Sequence, residues 1–196
     1  MEGRYYLDRI DLADPASPVL LPKVNVPGVL VAASEDGRDL TTLETEWNGE
    51  RVASYLHGLT LRADGRAELR GSAALAGYPS GAARAGGFAW AITTDWSGGA
   101  AVTELAAVEL GTMQVRSRQA VEGSWAWLRK AAGGKLFLQA GWNEQGLLVY
   151  GLADPARPTF ERFARTQGWA QDIVVGGGVA YLPSGPYGVP MVELAP

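Results

Sequence analysis

The sequence predicts an all-β protein: a β-propeller with three complete four-stranded blades flanked by partial blades. Three observations carry this prediction. Short apolar runs alternate with glycine and proline along the whole chain, a leucine-containing turn recurs at near-constant spacing, and glycine turns recur in phase with it. A blade of four short strands needs about the length of that period.

The distribution of turn residues predicts strands throughout. The chain has 196 residues, of which 26 are glycine and 11 proline, and the apolar stretches between them are five to eight residues long. Alternation is visible where Val102, Ala106, Val108 and Leu110 surround Thr103 and Glu109. No segment keeps the helical apolar spacing beyond a turn or two, which excludes a helical fold.

The first repeated marker is a leucine followed by a turn. Leu12 to Pro18 and Leu152 to Pro158 are identical in six of seven positions, and both contain Asp-Pro-x-x-Pro. Aspartate caps such a turn through its side chain, and proline cannot extend a strand ladder. Leucines in the same place, Leu12, Leu61, Leu110, Leu152 and Leu194, are spaced by 49, 49, 42 and 42 residues.

The second marker is a tight turn of two residues between apolar runs. Asp36-Gly37, Gly86-Gly87, Gly133-Gly134 and Gly177-Gly178 are separated by 50, 47 and 44 residues. Glycine supplies the positive φ that two-residue hairpins require. Two independent markers in one phase predict one repeated sheet: strand A, glycine turn, strand B, aromatic loop, strand C ending in the leucine, and strand D.

This unit divides the chain, as a single region, into blades. Complete blades are predicted over about 27–76, 77–122 and 123–166, with a partial blade of strands C and D over 1–26 and one of strands A to C over 167–196. We expect the C-terminal part of a larger propeller, whose open ends pair with further blades or with another chain. In the alternative, strand 19–26 closes a four-bladed ring and strand 5–12 packs elsewhere.

One stretch resembles a known family. The segment Leu147-Leu148-Val149-Tyr150-Gly151-Leu152-Ala153-Asp154-Pro155-Ala156-Arg157-Pro158 is similar to the bacterial and archaeal LVIVD-repeat β-propellers, as are residues 9–18 and the strands at 168–175 and 179–182. The sequence departs from the repeat at Gly151, Leu61 and Leu110. The resemblance implies an exported protein that is extracellular, at the cell surface or periplasmic and acts by binding, without shared catalytic residues.

Aromatic residues recur in the predicted loops of one propeller face. The B–C loops carry Trp47, Trp96, Trp142 and Tyr187, with Tyr5 in the N-terminal partial blade, and Trp125 and Trp169 lead into A strands. Because these loops share a face, we predict a ligand-binding ring for a protein or a glycan. The alternative is that the tryptophans wedge between blades. Trp90, Trp127 and Phe137 lie within strand patterns and are predicted to be core residues.

Candidate catalytic groups are few. A pair among Glu44, Glu46, Asp95, Glu144 and Asp172 could serve as acid and base, so the alternative function is a propeller glycoside hydrolase or lyase with carboxylates at the central funnel. The single histidine, His57, is expected to be a packed or surface residue. With no cysteine, no calcium loop and no phosphate loop at Gly176-Gly177-Gly178, we predict no catalytic residue, metal site or cofactor.

Charge and hydropathy exclude two classes of partner. The net charge of −4 predicts no nucleic-acid binding, because the chain lacks an overall basic surface. No apolar run approaches the ~20 residues of a membrane-spanning helix, so no membrane insertion is expected. The start of the chain has no signal-peptide pattern, so any export signal lies outside this chain or does not exist.

Overall fold

The computed structural model describes residues 5–47, 52–121, 125–141 and 145–194, and these form five antiparallel sheets. The N-terminal partial blade contains β1 (Tyr5–Asp11) and β2 (Val19–Val26). Blade 1 contains β3 (Val29–Ala33), β4 (Asp39–Trp47), β5 (Val52–Leu61) and β6 (Ala67–Ala76). Blade 2 contains β7 (Tyr78–Ala85), β8 (Phe88–Asp95), β9 (Val102–Glu109) and β10 (Gln114–Ala120).

Blade 3 and the C-terminal partial blade complete the described chain. Blade 3 contains β11 (Ala126–Ala132), β12 (Lys135–Ala140), β13 (Gly146–Gly151) and β14 (Thr159–Arg165). The last sheet contains β15 (Val174–Gly176), β16 (Val179–Tyr181) and β17 (Met191–Glu193), with a 3₁₀ turn over Gly185–Tyr187. Three complete four-stranded sheets between two partial ones confirm the predicted arrangement. Within the described residues, no helix has the length and apolar character needed to cross a bilayer.

The two sequence markers meet in a backbone hydrogen bond that recurs in four successive sheets. In each sheet, the amide of the marker leucine at the end of strand C donates to a carbonyl at the glycine turn between strands A and B. The four bonds are Leu61 to Arg38 (2.7 Å), Leu110 to Gly87 (2.8 Å), Leu152 to Gly134 (2.8 Å) and Leu194 to Gly178 (2.7 Å). This shared bond explains why leucines and glycine turns keep one phase along the sequence.

The glycine turns adopt the conformations that hairpins need. Gly133 and Gly134 have φ values of 56° and 71°, and two consecutive positive φ values define a type I′ turn. The Asp-Pro turns are also alike: Asp14 accepts the amide of Ala16 at 3.0 Å, and Asp154 accepts that of Ala156 at the same distance. The predicted aspartate cap is therefore present in both copies.

The hydrophobic core lies between blades, so the strands of a central blade are buried on both faces. On β8, Ala89 and Ala91 pack towards blade 1, whereas Trp90 and Ile92 pack towards blade 3. Phe137 of blade 3 packs against the C-terminal partial blade. Trp90 and Phe137 are fully buried, as the sequence predicts. Small side chains on one face and large ones on the other set how closely neighbouring blades approach.

Hydrogen bonds also join the blades to one another. Arg84 of blade 2 donates to the carbonyl of Asp39 in blade 1 at 2.9 Å, and Lys130 of blade 3 donates to that of Ile173 at 2.6 Å. Ser80 of blade 2 reaches the carbonyl of Ala126 in blade 3 at 2.6 Å. The innermost strands β7 and β11 lie side by side. These contacts fix the positions of neighbouring blades relative to one another, and these blades carry the aromatic residues.

The N-terminal strand has a partner in its own partial blade. β1 pairs with β2 from Tyr5 opposite Val26 to Asp11 opposite Val19, with one irregularity between Leu7 and Arg9. Val24 and Val26 of β2 are buried. The alternative of a ring closed by β2 leaves strand 5–12 to pack elsewhere, whereas the structure pairs that strand with β2 itself.

Candidate functional site

The aromatic residues of the B–C loops lie at the ends of equivalent strands. Trp47 is the last residue of β4, Trp96 follows β8 directly, and Tyr187 lies in the 3₁₀ turn between β16 and β17. All three side chains are exposed. Tyr5 begins β1 and is half-buried. Trp142 lies outside the described residues.

Four tryptophans from three sheets form a continuous row, here called the tryptophan row: Trp96, Trp125, Trp127 and Trp169. Ring centroids are 5.2 Å apart for Trp96 and Trp125, 5.2 Å for Trp125 and Trp127, and 4.6 Å for Trp127 and Trp169. The last pair meets edge to face at 89°, a preferred arrangement of aromatic rings. The row joins three of the predicted site residues through Trp127.

Trp127 corrects one sequence prediction. The strand pattern predicts a core residue, but Trp127 of β11 is only half-buried, and its ring contacts those of Trp125 and Trp169. Gly141 makes room for it, since a methyl group there would lie 2.7 Å from the Trp127 ring and 3.0 Å from that of Trp169. The sequence contains a signal for the contact between Trp125 and Trp127. Their spacing of two residues places both rings on one side of a strand.

The far end of the row carries a cation and a further aromatic ring. The guanidinium carbon of Arg129 lies 5.8 Å from the centroid of the Trp169 ring, within the range of a cation–π contact. Partial burial lowers the pKa of Arg129 from its usual value. An arginine side chain nevertheless stays charged in proteins, so the cation–π contact is retained. Tyr187 packs against Gly168, where a methyl group would lie 2.5 Å from its ring.

A cleft of about 790 Å³ opens between blades 1 and 2; we name it the inter-blade cleft. Trp47 lines it from the end of β4, Trp96 from the loop after β8, and Tyr78 from the start of β7. The exposed fractions of Trp47, Tyr78 and Trp96 are 69%, 50% and 44%. Trp96 belongs to both the cleft and the tryptophan row, so the two features are continuous.

The solved structures that are similar to this chain include the following three. A candidate 6-phosphogluconolactonase from Bacteroides uniformis superposes on 96% of this chain with a TM-score of 0.64 at 16% identity. BamB from Moraxella catarrhalis covers 88% with a TM-score of 0.52 at 12% identity, and a protein from Lactobacillus plantarum covers 92% with 0.53 at 13%. The fold is a β-propeller.

At these identities the likeness shows the propeller fold alone. The chain spans 62%, 48% and 58% of the lengths of the three proteins, in the same order. No protein-family model and no curated protein matches the sequence. The chemistry of the site therefore has to be derived from this propeller's own residues.

Three of the five candidate carboxylates, Glu44, Asp95 and Asp172, have hydrogen-bond or ion-pair partners of their own. Glu44 lies 3.0 Å from His57 Nε2, and Asp95 accepts from the amide and the hydroxyl of Ser97 at 2.9 and 3.0 Å. Asp172 accepts the amide of Ile173 at 2.7 Å and lies 3.7 Å from Lys130. Glu46 is exposed at the end of β4, and Glu144 lies outside the described residues. In the described chain, no group of acidic, histidine or cysteine side chains could hold a metal ion.

His57 is a packed residue of β5. Its Nδ1 lies 2.8 Å from the hydroxyl of Ser72 and its Nε2 lies 3.0 Å from Glu44 Oε2. Its ring stacks on that of Tyr55 at 6.0 Å. Both ring nitrogens are thus partnered across three neighbouring strands, which is what a buried histidine requires.

Beneath the tryptophan row, one buried amide is unpaired. Gln139 is opposite Trp127, only 1% exposed, and neither its amide oxygen nor its amide nitrogen has a hydrogen-bond partner in the described part of the chain. Each buried polar atom without a partner costs about 1–3 kcal/mol. We expect Gln139→Met to raise the free energy of unfolding by about 1–2 kcal/mol in urea denaturation, since methionine has similar volume and no amide.

The control for that substitution is Gln171→Met, at an exposed position of the C-terminal partial blade, which should change stability by less than about 0.5 kcal/mol. A loss of stability in Gln139→Met would contradict the prediction, because it would mean that the amide is hydrogen-bonded in solution.

Proposed function

We propose that this propeller is a non-enzymatic binding module that engages a protein or a glycan through its aromatic loop face. The observation that carries the proposal is the tryptophan row, which runs across three sheets and stays partly open to solvent at Trp96 and Trp169. Tryptophan is enriched at the centres of binding interfaces because it provides a large contact area and a polar N–H group.

The same residues also have a structural role. Trp127 and Trp169 meet between blade 3 and the C-terminal partial blade, so the row helps to join the sheets. Packing on one side holds the rings in place before a ligand arrives. Exposure on the other side leaves them accessible to it. A rigid aromatic surface loses little conformational entropy on binding, which favours recognition.

Binding accounts for the site better than hydrolysis. Glycoside cleavage needs two carboxyl groups facing each other across a substrate, roughly 5–10 Å apart. The described candidates lie in three different sheets, and Glu44, Asp95 and Asp172 are held by His57, Ser97 and Lys130. No specific feature of the described residues favours the hydrolase or lyase alternative over binding.

The proposal includes a location outside the cytoplasm. Its support is the resemblance of residues 147–158 to the LVIVD repeat, which implies an exported or surface-displayed bacterial protein. The partners are then a protein or glycan of that compartment, and further blades or another chain at the open ends. The net charge of −4 supports the exclusion of nucleic acid as a partner.

The test is to select ligands from a random peptide phage library and a glycan array, and to measure their affinity for single-residue variants. We expect Trp169→Ala to weaken at least one selected ligand by about tenfold, because truncating an aromatic residue that anchors an interface typically costs more than 1 kcal/mol. Phe160→Ala is the matched control, since Phe160 is exposed to a similar extent, 45% against 39% for Trp169, but lies on the outer strand β14.

Circular dichroism should show that both variants keep the strand signal of the parent protein. Two results would overturn the proposal: no ligand selected from either library, or selected ligands that bind the Trp169→Ala and Phe160→Ala variants with the affinity of the parent protein.

A further inference from the structure

We infer that Ser72 is a nucleophilic serine that accepts an acyl group from an ester, with His57 as its base and Glu44 as a positioning residue. This inference goes beyond the proposed binding function and does not depend on it, because the three residues lie on β6, β5 and β4 of blade 1, outside the tryptophan row. It rests on a line of hydrogen bonds, the burial of the base and the exposure of the serine.

The three side chains are joined by hydrogen bonds across neighbouring strands. Ser72 Oγ lies 2.8 Å from His57 Nδ1, and His57 Nε2 lies 3.0 Å from Glu44 Oε2. A nucleophile within hydrogen-bond reach of a base, and a base that is oriented by a third group, form the arrangement that activates serine for acyl transfer. This arrangement is recognised by the geometry and the roles of its members, and it occurs on unrelated folds.

The Glu44 carboxylate selects one tautomer of the neutral imidazole. An ionised carboxylate offers only acceptor sites, so the neutral ring bonds to Glu44 when its hydrogen is on Nε2. Nδ1 is then an acceptor and receives the hydroxyl hydrogen of Ser72. The side chain of His57 is only 7% exposed, so little water competes for either nitrogen. The proton of Ser72 therefore points at its base.

The serine itself is open to solvent. Ser72 is exposed, whereas His57 behind it is buried. β6 is the outer strand of blade 1, and the residues around Ser72 in the chain are small: Gly71, Ala73 and Ala74. These small neighbours leave room for an ester to approach the hydroxyl oxygen.

The backbone of Ser72 offers a donor for the negative charge that develops on the ester carbonyl oxygen. β4 and β5 pair without irregularity, and the amide of Leu61 donates to the carbonyl of Arg38 directly before β4. Backbone groups alternate in direction along an antiparallel strand, so the amide of His57 also faces β4. Ser72 lies opposite His57, so its own amide faces away from β5. The amide of a nucleophilic serine is a common part of an oxyanion hole.

The step is a single acyl transfer. Ser72 Oγ attacks the carbonyl carbon of the ester, and its proton passes to His57 Nδ1, so the imidazole becomes charged beside the Glu44 carboxylate. The bond between the carbonyl carbon and the leaving oxygen then breaks, and the imidazolium returns the proton to that oxygen. The products are one acyl-serine and one alcohol. The chain is a reactant in this step, and no oxidant or reductant is consumed.

The first test uses p-nitrophenyl acetate as the acyl donor. We expect mass spectrometry of proteolytic peptides to find the acetyl group on Ser72, and Ser72→Ala to remove the burst of p-nitrophenolate. His57→Gln should slow the acetylation about a hundredfold, because a positioned base contributes about 10²–10⁴-fold. The matched control is Ser117→Ala, which should react like the parent protein, since Ser117 on the outer strand β10 donates to the carbonyl of Ala156 and has no base there.

A fluorophosphonate carrying biotin is the second reagent. It forms a stable phosphonyl-serine with nucleophilic serines, so it reports on Ser72 even where an acetyl group is lost to water. We expect it to label the same residue.

NMR of the imidazole nitrogens tests the hydrogen bonds without a substitution. His57 is the single histidine of the chain, so its two nitrogen-15 resonances are assigned without ambiguity. At mildly alkaline pH we expect the hydrogen of the neutral ring on Nε2. Glu44→Met has a similar volume and no carboxylate, and it should shift the ring towards a mixture of tautomers and slow the acetylation about tenfold. A purely structural role for Glu44 would leave the tautomer unchanged.

The inference is wrong if both reagents modify Ser72 no faster than Ser117. It is also wrong if His57→Gln, shown to be folded by circular dichroism, reacts as fast as the parent protein. A neutral ring with its hydrogen on Nδ1 in the parent protein would contradict it as well, because that nitrogen could not take the Ser72 proton. This last measurement decides the matter if His57→Gln fails to fold.

Discussion

Gly77→Ala should lower the free energy of unfolding by about 2–5 kcal/mol. Gly77 joins blade 1 to blade 2 with a φ of 69°, and a methyl group on it would overlap the backbone carbonyl oxygen of Thr94. Left-handed backbone is unfavourable for alanine by about 1–2 kcal/mol, and forced displacement of packed atoms costs typically 1–3 kcal/mol more. Because the obstructing atom belongs to the backbone of β8, it cannot move aside as a flexible side chain would.

Gly37→Ala is the matched control for this substitution. Gly37 also has a φ of 69°, but a methyl group there meets no atom within 4 Å. Urea denaturation of both variants therefore separates the cost of the steric overlap from the cost of the backbone conformation. We expect Gly37→Ala to lose only about 1–2 kcal/mol. Equal losses in the two variants would contradict the close approach of Gly77 to the backbone of β8.

Trp90→Ala is expected to destabilise the protein by about 3–5 kcal/mol, the usual range for truncating a buried tryptophan. Trp90 is 1% exposed in the core between blades 2 and 3. Its indole N–H donates to the carbonyl of Pro155 at 2.9 Å, in the Asp-Pro turn of blade 3. The substitution thus removes core volume and leaves a carbonyl group of the neighbouring blade without its donor.

Trp90→Phe separates these two contributions. Phenylalanine keeps most of the buried ring but cannot donate to Pro155, so we expect an intermediate loss in the same urea denaturation experiment. Phe160→Ala, on the exposed side of blade 3, should cost less than either core variant. The packing of blade 2 on blade 3 would be contradicted if Trp90→Ala were no more destabilising than Phe160→Ala.

The repeat was predictable because its turns require particular residues for their backbone conformation or their capping. The positive φ of Gly37, Gly86 and Gly133 favours glycine, and the side chains of Asp14 and Asp154 cap their turns in the same way. Such features depend on a few neighbouring residues. They reveal the order and the period of the strands without knowledge of how the sheets pack.

The site was predictable only in part, since it depends on distances between blades. The loop positions of Trp47, Trp96 and Tyr187 follow from the repeat, and their exposure agrees with a role at the surface. The contact of Trp127 with Trp169 depends on the space above Gly141, and the cleft depends on the gap between blades 1 and 2. Neither distance is encoded in the spacing of motifs within one blade.

Tyr78 is another residue whose place at the cleft could not be predicted from the repeat. It begins β7, directly after the glycine that joins two blades, and the repeat marks no aromatic residue at that place. Its membership of the cleft follows from the position of blade 2 beside the end of β4, where Trp47 lies. Side chains recruited from two neighbouring sheets can be recognised only when both sheets are seen together.

Amide hydrogen exchange of Leu61, Leu110 and Leu152, measured by NMR on the folded protein, tests most directly whether the leucines and glycine turns mark one repeated sheet. Each amide donates to the glycine turn of its own blade at 2.7–2.8 Å. We expect all three to exchange slowly and to a similar extent, whereas exposed loop amides such as that of Gly98 exchange rapidly. Exchange of any of the three leucine amides at the rate of the loop amides would contradict the equivalence of the blades.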